Sequence, residues 1–148
     1  MLKHVQDIDV ISPQLREAGS LPDLLAASFD AFEIVRMLAR RWDHHAPELF
    51  AAFMMTADAA VDGREALTTA PALPAGPMPA RAGTLAERSA AQEITAALAA
   101  LGTLLARRLT EAARHAPPDD HDACTAAAVA ARRIGDLMAG GDDDRRSR

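Results

Sequence analysis

Several residue types are scarce in this 148-residue sequence, which has no tyrosine and only 3% aromatic residues. It contains one lysine, Lys3, against 15 arginines, and one cysteine, Cys124. A single cysteine excludes an internal disulfide. Strands favour aromatic and β-branched residues, whereas alanine, which occurs 35 times, is the best helix former. The composition therefore predicts an all-α fold.

Long apolar runs are also missing, because no uninterrupted stretch approaches the roughly 18 residues that a membrane helix needs. The first residues do not combine a charged start, an apolar middle and a small-residue cleavage site, as a secretory signal would. We therefore expect no membrane partner and a cytoplasmic location. The net charge of -5 lacks the basic surplus on which nucleic-acid binders rely, so no nucleic-acid partner is expected.

Four segments have the apolar spacing of amphipathic helices. They cover residues 21–42, 47–67, 84–115 and 118–139. Ser20 and Asp23 resemble a capping box before the first segment, and Thr84 and Glu87 form a strict one at the start of the third. The predicted core faces are Leu21, Leu24, Phe32, Val35, Leu38 and Trp42; Phe50, Phe53, Met54, Ala57 and Val61; Ile94, Leu98, Leu101 and Leu105; and Ala127, Ala130, Ile134 and Leu137.

The segments between these helices complete the predicted architecture. Residues 1–11 carry apolar residues at three-residue spacing, Leu2, Val5, Ile8 and Ile11, and are expected to form an ordered arm of undetermined type that is interrupted at Ser12-Pro13. Residues 68–83 form a linker whose four prolines forbid helix. Gly140-Gly141 predicts a helix end, followed by a disordered tail over residues 142–148. The sequence thus predicts one domain over residues 1–141, a four-helix bundle in up-down-up-down order.

Common catalytic and nucleotide-binding motifs are absent, and so is paired cysteine spacing for zinc. No cofactor is therefore expected. In an up-down-up-down bundle, however, two turns would bring histidines and carboxylates to one rim. The members of this rim are Asp43, His44, His45, Glu48, His115, Asp119, Asp120, His121 and Asp122. The candidate metal ligands are its histidines, His44, His45, His115 and His121, although helix capping also explains polar residues in turns.

Phe29, Ile34 and Met37 lie outside the apolar stripe predicted for residues 21–42. Large apolar residues placed among charged neighbours are typical of an interface. We predict that these three residues form part of a homodimer interface.

Two further features have a chemical and a structural interpretation. Arginine pairs occur at residues 40–41, 107–108 and 132–133, where they could bind phosphate or balance a helix dipole. Cys124 could be a reactive thiol at a helix start or a small buried apolar residue.

The sequence favours a non-enzymatic helical interaction module that self-associates and binds a protein partner. Two alternatives are a small metal-dependent bundle enzyme that uses the histidine rim, and a bundle that binds a small molecule between its helices.

Overall fold

The computed structural model describes the backbone of residues 3–74 and 91–146. These residues form five α-helices, a short 3₁₀ helix at Pro47–Leu49 and no strand. The helices are α1 (Lys3–Glu17), α2 (Leu21–Trp42), α3 (Phe50–Thr68), α4 (Ala91–His115) and α5 (Pro118–Arg146). The all-α class is confirmed, with one helix more than the four predicted.

The additional helix, α1, replaces the N-terminal arm predicted for residues 1–11. It continues through Pro13, where the sequence predicted an interruption. Proline removes one backbone donor, but burial of an apolar stripe opposes this cost. Ile8, Ile11 and Leu15 are at most 5% exposed, and α1 packs against α2 and α4. The three-residue spacing seen in the sequence was therefore a helical signal.

Arg108 of α4 holds the C-terminal end of α1. Its Nε donates a hydrogen bond to the backbone oxygen of Leu15 at 3.0 Å, and its Nη2 donates to that of Ala18 at 3.0 Å. The last carbonyls of a helix have no partner within the helix. Arg108 supplies donors to carbonyls at this end and joins α1 to α4.

The helices surround a single hydrophobic core. Around it, α2 packs on α3, α3 on α5, α5 on α4, and α4 on α2. The backbone N–H of Ala72, just after α3, donates to Asp120 Oδ1 at the start of α5 at 2.9 Å. A cleft at this same end is lined by Leu21 at the start of α2 and His115 at the end of α4. The ends of α3 and α4 therefore lie together, and these two helices run in the same direction.

This arrangement differs from the predicted up-down-up-down order, in which α3 and α4 would be antiparallel. The 22 residues between Thr68 and Ala91 explain the difference. A chain of that length reaches up to about 70 Å when extended, whereas α3 is only about 28 Å long. The connection can therefore return to the opposite end of the fold before α4 begins.

The predicted core faces are largely confirmed for α2, α4 and α5 but wrong in part for α3. The predicted seam of α4 is fully buried at Ile94, Leu98, Leu101 and Leu105. In α3, Phe50 and Met54 are exposed instead of buried, and Thr56 and Gly63 take core positions. Small residues on the buried face of α3 make it difficult to predict which side of the helix is buried, because the spacing of large apolar residues does not include them.

The ends of the linker and of α5 also differ from expectation. Residues 69–74 contain no helix, and the rest of the linker, with the capping box at Thr84 and Glu87, lies outside the described residues. α5 passes through Gly140 and Gly141 and ends at Arg146, so the predicted glycine stop is wrong. No helix in the described ranges has the length and apolar character needed to cross a membrane.

Glu33 links α2 to α3 through an ion pair with Arg64, and it also pairs with Arg36 at 3.2 Å. Burial raises the pKa of Glu33, but the hydrogen bonds and positive charges of Arg36 and Arg64 outweigh burial and leave this pKa below its usual value of 4.5. A lowered native pKa means that the ionised carboxylate stabilises the fold above pH 4.5. This stabilisation is lost as the pH falls through the native pKa.

We therefore expect Glu33→Gln to lower the free energy of unfolding by about 1 kcal/mol at neutral pH, with the difference disappearing in acid. Urea unfolding across this pH range measures the effect. Glu65→Gln is the control, since Glu65 is exposed and forms no ion pair with a described residue. A Glu33→Gln deficit that persists unchanged at low pH would contradict the assignment.

Candidate functional site

The predicted histidine rim is divided between the two ends of the fold. His44 and His45 follow the C-terminus of α2, whereas His115 lines a cleft beside the first residues of α2. The 22 residues of α2 span about 33 Å, which separates the two groups. Among the described residues, no three metal-binding side chains cluster. The common rim assumed from the sequence does not form, because α4 runs parallel to α3.

At the first end, the two histidines contact their own turn. His44 Nε2 lies 3.1 Å from Asp43 Oδ1, and the His44 and Phe50 ring centroids are 6.1 Å apart. The His45 ring lies 4.6 Å from the Trp42 ring. Because Trp42 is fully buried, His45 covers the edge of the core at this turn. The contact with buried Trp42 gives His45 a packing role, whereas the side chain of His44 is 81% exposed.

At the second end, His121 and Asp120 join the start of α5 to neighbouring segments. His121 Nδ1 lies 2.8 Å from the backbone oxygen of Ala113 in α4. Asp120 is only 4% exposed and accepts the Ala72 hydrogen bond that fixes the end of α3. His121 thus connects α5 to α4, and Asp120 connects α5 to the segment that follows α3.

A cleft of about 470 Å³ opens beside this second end. Its walls come from the α1–α2 junction and from the α4–α5 turn, with Arg108, Glu111 and Asp120 as its charged residues. Arg108 already binds two carbonyls and pairs with Glu111 at 3.3 Å, and Asp120 holds Ala72. The charged groups of this cleft therefore already form contacts that stabilise the fold.

Cys124 is fully buried in the second turn of α5. Burial, with a smaller contribution from the negative charge of Asp120, raises the pKa of its thiol. A nucleophilic cysteine needs a stabilised thiolate. The surroundings of Cys124 favour the neutral thiol, which is consistent with a packing role.

Phe29, Ile34 and Met37, the predicted interface residues, are all half-buried. Phe29 and Ile34 contact the hydrophobic core. Five residues separate these two, so they project about 140° apart around α2. Phe29 lies one turn from Glu33, on the side that faces α3. Met37 lies between Phe29 and Ile34 in rotation, about 80° from Phe29 and about 60° from Ile34, so the three residues spread over about 140° of the helix surface.

The larger exposed apolar surface lies on α3. Phe50, Met54 and Met55 are 40%, 42% and 41% exposed. The sequence predicted Phe50 and Met54 in the core, where Thr56 and Gly63 of the same helix are buried instead. No family model, curated protein or solved structure matches this chain.

Proposed function

We propose that this chain is a non-enzymatic helical interaction module that forms a homodimer through the outer face of the α2–α3 hairpin. One observation carries the proposal. Of the five large apolar residues that are exposed in the described part of the chain, three lie within six consecutive residues at the start of α3. Apolar groups concentrated in this way favour association, since burying them removes apolar area from water.

The neighbouring part of α2 supports the same surface. Met37 is half-buried on the outer side of α2, and exposed Arg40 and Asp58 provide charges of opposite sign on α2 and α3. In a two-fold dimer each subunit presents the same patch to the other. An apolar centre surrounded by opposite charges is suited to such a contact.

Of the predicted interface residues, Met37 belongs to this proposed surface, because it lies on the outer side of α2 between Phe29 and Ile34. The metal-dependent enzyme is not proposed, because the separation of the histidine groups removes the observation on which that alternative rested. A protein partner, if present, would compete for the same α3 residues.

Light scattering during size exclusion tests the dimer. We expect a mass near twice the 15.7 kDa of the chain at micromolar concentration. Phe50→Asp combined with Met54→Asp should give a monomer with unchanged helicity, because both residues are exposed and a charge at a desolvated apolar contact is costly.

The control replaces two exposed apolar residues elsewhere, Val10→Asp and Val129→Asp, and adds the same charge. This variant should remain a dimer. A wild-type chain that elutes with a mass near 15.7 kDa, or a dimer that survives the paired substitution on α3, would overturn the proposal.

A further inference from the structure

Alternating hydroxyl and guanidinium groups form a stripe along the outer side of α4. They occur at i, i+4, i+7 and i+11, the positions of Thr103, Arg107, Thr110 and Arg114. At 100° per residue these positions fall within about 60° of one another and extend over about 16 Å. The buried seam of Leu98 and Leu105 occupies the opposite side of the helix.

This stripe is one wall of a groove of about 670 Å³, and α5 provides the other wall with Arg132 and Asp136. The buried small residues Ala106 and Gly135 also line it. Grooves of roughly 300–1,000 Å³ are large enough for small organic ligands. The dimer surface proposed above lies elsewhere, on α2 and α3.

The charges in this groove favour an anion. Arg107, Arg114 and Arg132 form no ion pair with any described residue. Of the two lining carboxylates, Glu111 is already paired with Arg108 at 3.3 Å, which leaves Asp136 as the opposing charge. The groove therefore contains three guanidinium groups and one unpaired carboxylate, although the net charge of the chain is -5.

We propose that the α4–α5 groove binds a small, multiply charged oxyanion, such as a phosphate ester or a polycarboxylate. Guanidinium groups donate paired hydrogen bonds to both phosphate and carboxylate. Arg107 and Arg132 approach the ligand from opposite walls, and the hydroxyl group of Thr110 donates from the α4 wall. Binding weakens as salt is added, because the charged groups are exposed to solvent.

Isothermal titration with inorganic pyrophosphate and with citrate, at equal low ionic strength, tests this proposal. We expect saturable binding with a dissociation constant below about 1 mM for at least one of the two. Binding of pyrophosphate alone assigns the groove to phosphate compounds, and binding of citrate alone assigns it to polycarboxylates. Binding of both identifies a general oxyanion site.

The decisive variant is Arg107→Gln with Arg132→Gln, which should weaken binding at least about tenfold, because two charge-assisted contacts are lost. The matched control, Arg16→Gln with Arg133→Gln, removes the same charge at exposed positions that do not line the groove. It should stay within about twofold of the wild-type chain, since it leaves the contacts intact. Absence of saturable binding, or equal weakening in both variants, would overturn the proposal.

Discussion

Replacing Gly102 with alanine is expected to lower the free energy of unfolding by about 1–3 kcal/mol. A Cβ atom at Gly102 would lie 2.7 Å from the backbone nitrogen of Gly135 and 3.0 Å from the backbone oxygen of Ala131. Both contacts involve the backbone of α5, which cannot rotate away as a flexible side chain can. α4 and α5 must therefore separate, and the packing between them is lost over several turns.

A competing effect makes this result informative. In an exposed helix, alanine is more favourable than glycine by about 1 kcal/mol, because glycine loses more backbone entropy on folding. The close approach to α5 must outweigh this gain at position 102. Thermal and urea unfolding, read by helical circular dichroism, would show a lower melting temperature and a lower denaturation midpoint.

Gly140→Ala is the matched control, because Gly140 also lies within a helix and a Cβ there would have no atom within 4 Å. This variant should be more stable than the wild-type chain by about 0.5–1 kcal/mol. The two glycine variants should thus change stability in opposite directions. Equal stability of both variants would show that α4 and α5 have room at their crossing.

The same contrast explains which parts of the fold the sequence predicted. The buried seam of α4 could be predicted because its leucines and Ile94 repeat at helical spacing and are all buried. The buried face of α3 could not be predicted correctly, because alanines, Thr56 and Gly63 fill much of it, and such small residues give no strong apolar pattern. The sequence did not predict α1 as a helix, because it shows the cost of Pro13 to helix formation but not the packing of Leu15 that opposes this cost.

Helix direction was the largest source of error for the candidate site. Four histidines share one rim only if α4 is antiparallel to α3, and a 22-residue connection permits either direction. The sequence contains no local signal for that choice. The arginines of the α4–α5 groove were noticed only as pairs adjacent in sequence, 107–108 and 132–133. Their grouping across two helices follows from the antiparallel packing of α4 and α5, through which one member of each pair faces the groove.

A second large effect is expected for the rate at which the thiol of Cys124 reacts. In the native protein its thiol should react with a thiol-specific disulfide reagent roughly 1,000-fold or more slowly than in the unfolded chain, because a core opening of several kcal/mol must precede reaction. The side chain has no exposed area, and burial followed by the charge of Asp120 raises the pKa of the thiol. Only the thiolate reacts, so the native rate should keep rising with pH beyond the usual thiol range.

The raised pKa also has a consequence for stability. The folded state favours the neutral thiol of Cys124. The stability that this preference contributes is therefore complete below the usual thiol pKa and is lost as the pH rises through the native pKa.

Stopped-flow labelling at several pH values, in buffer and in denaturant, measures the reaction rates of the native and the unfolded thiol. The control carries Thr125→Cys in a Cys124→Ala background and presents a thiol at the next, exposed position. That thiol should react within about tenfold of the unfolded rate, since no opening is required. A native Cys124 that reacts as fast as this control would show that the start of α5 opens freely and that the cysteine is available for chemistry.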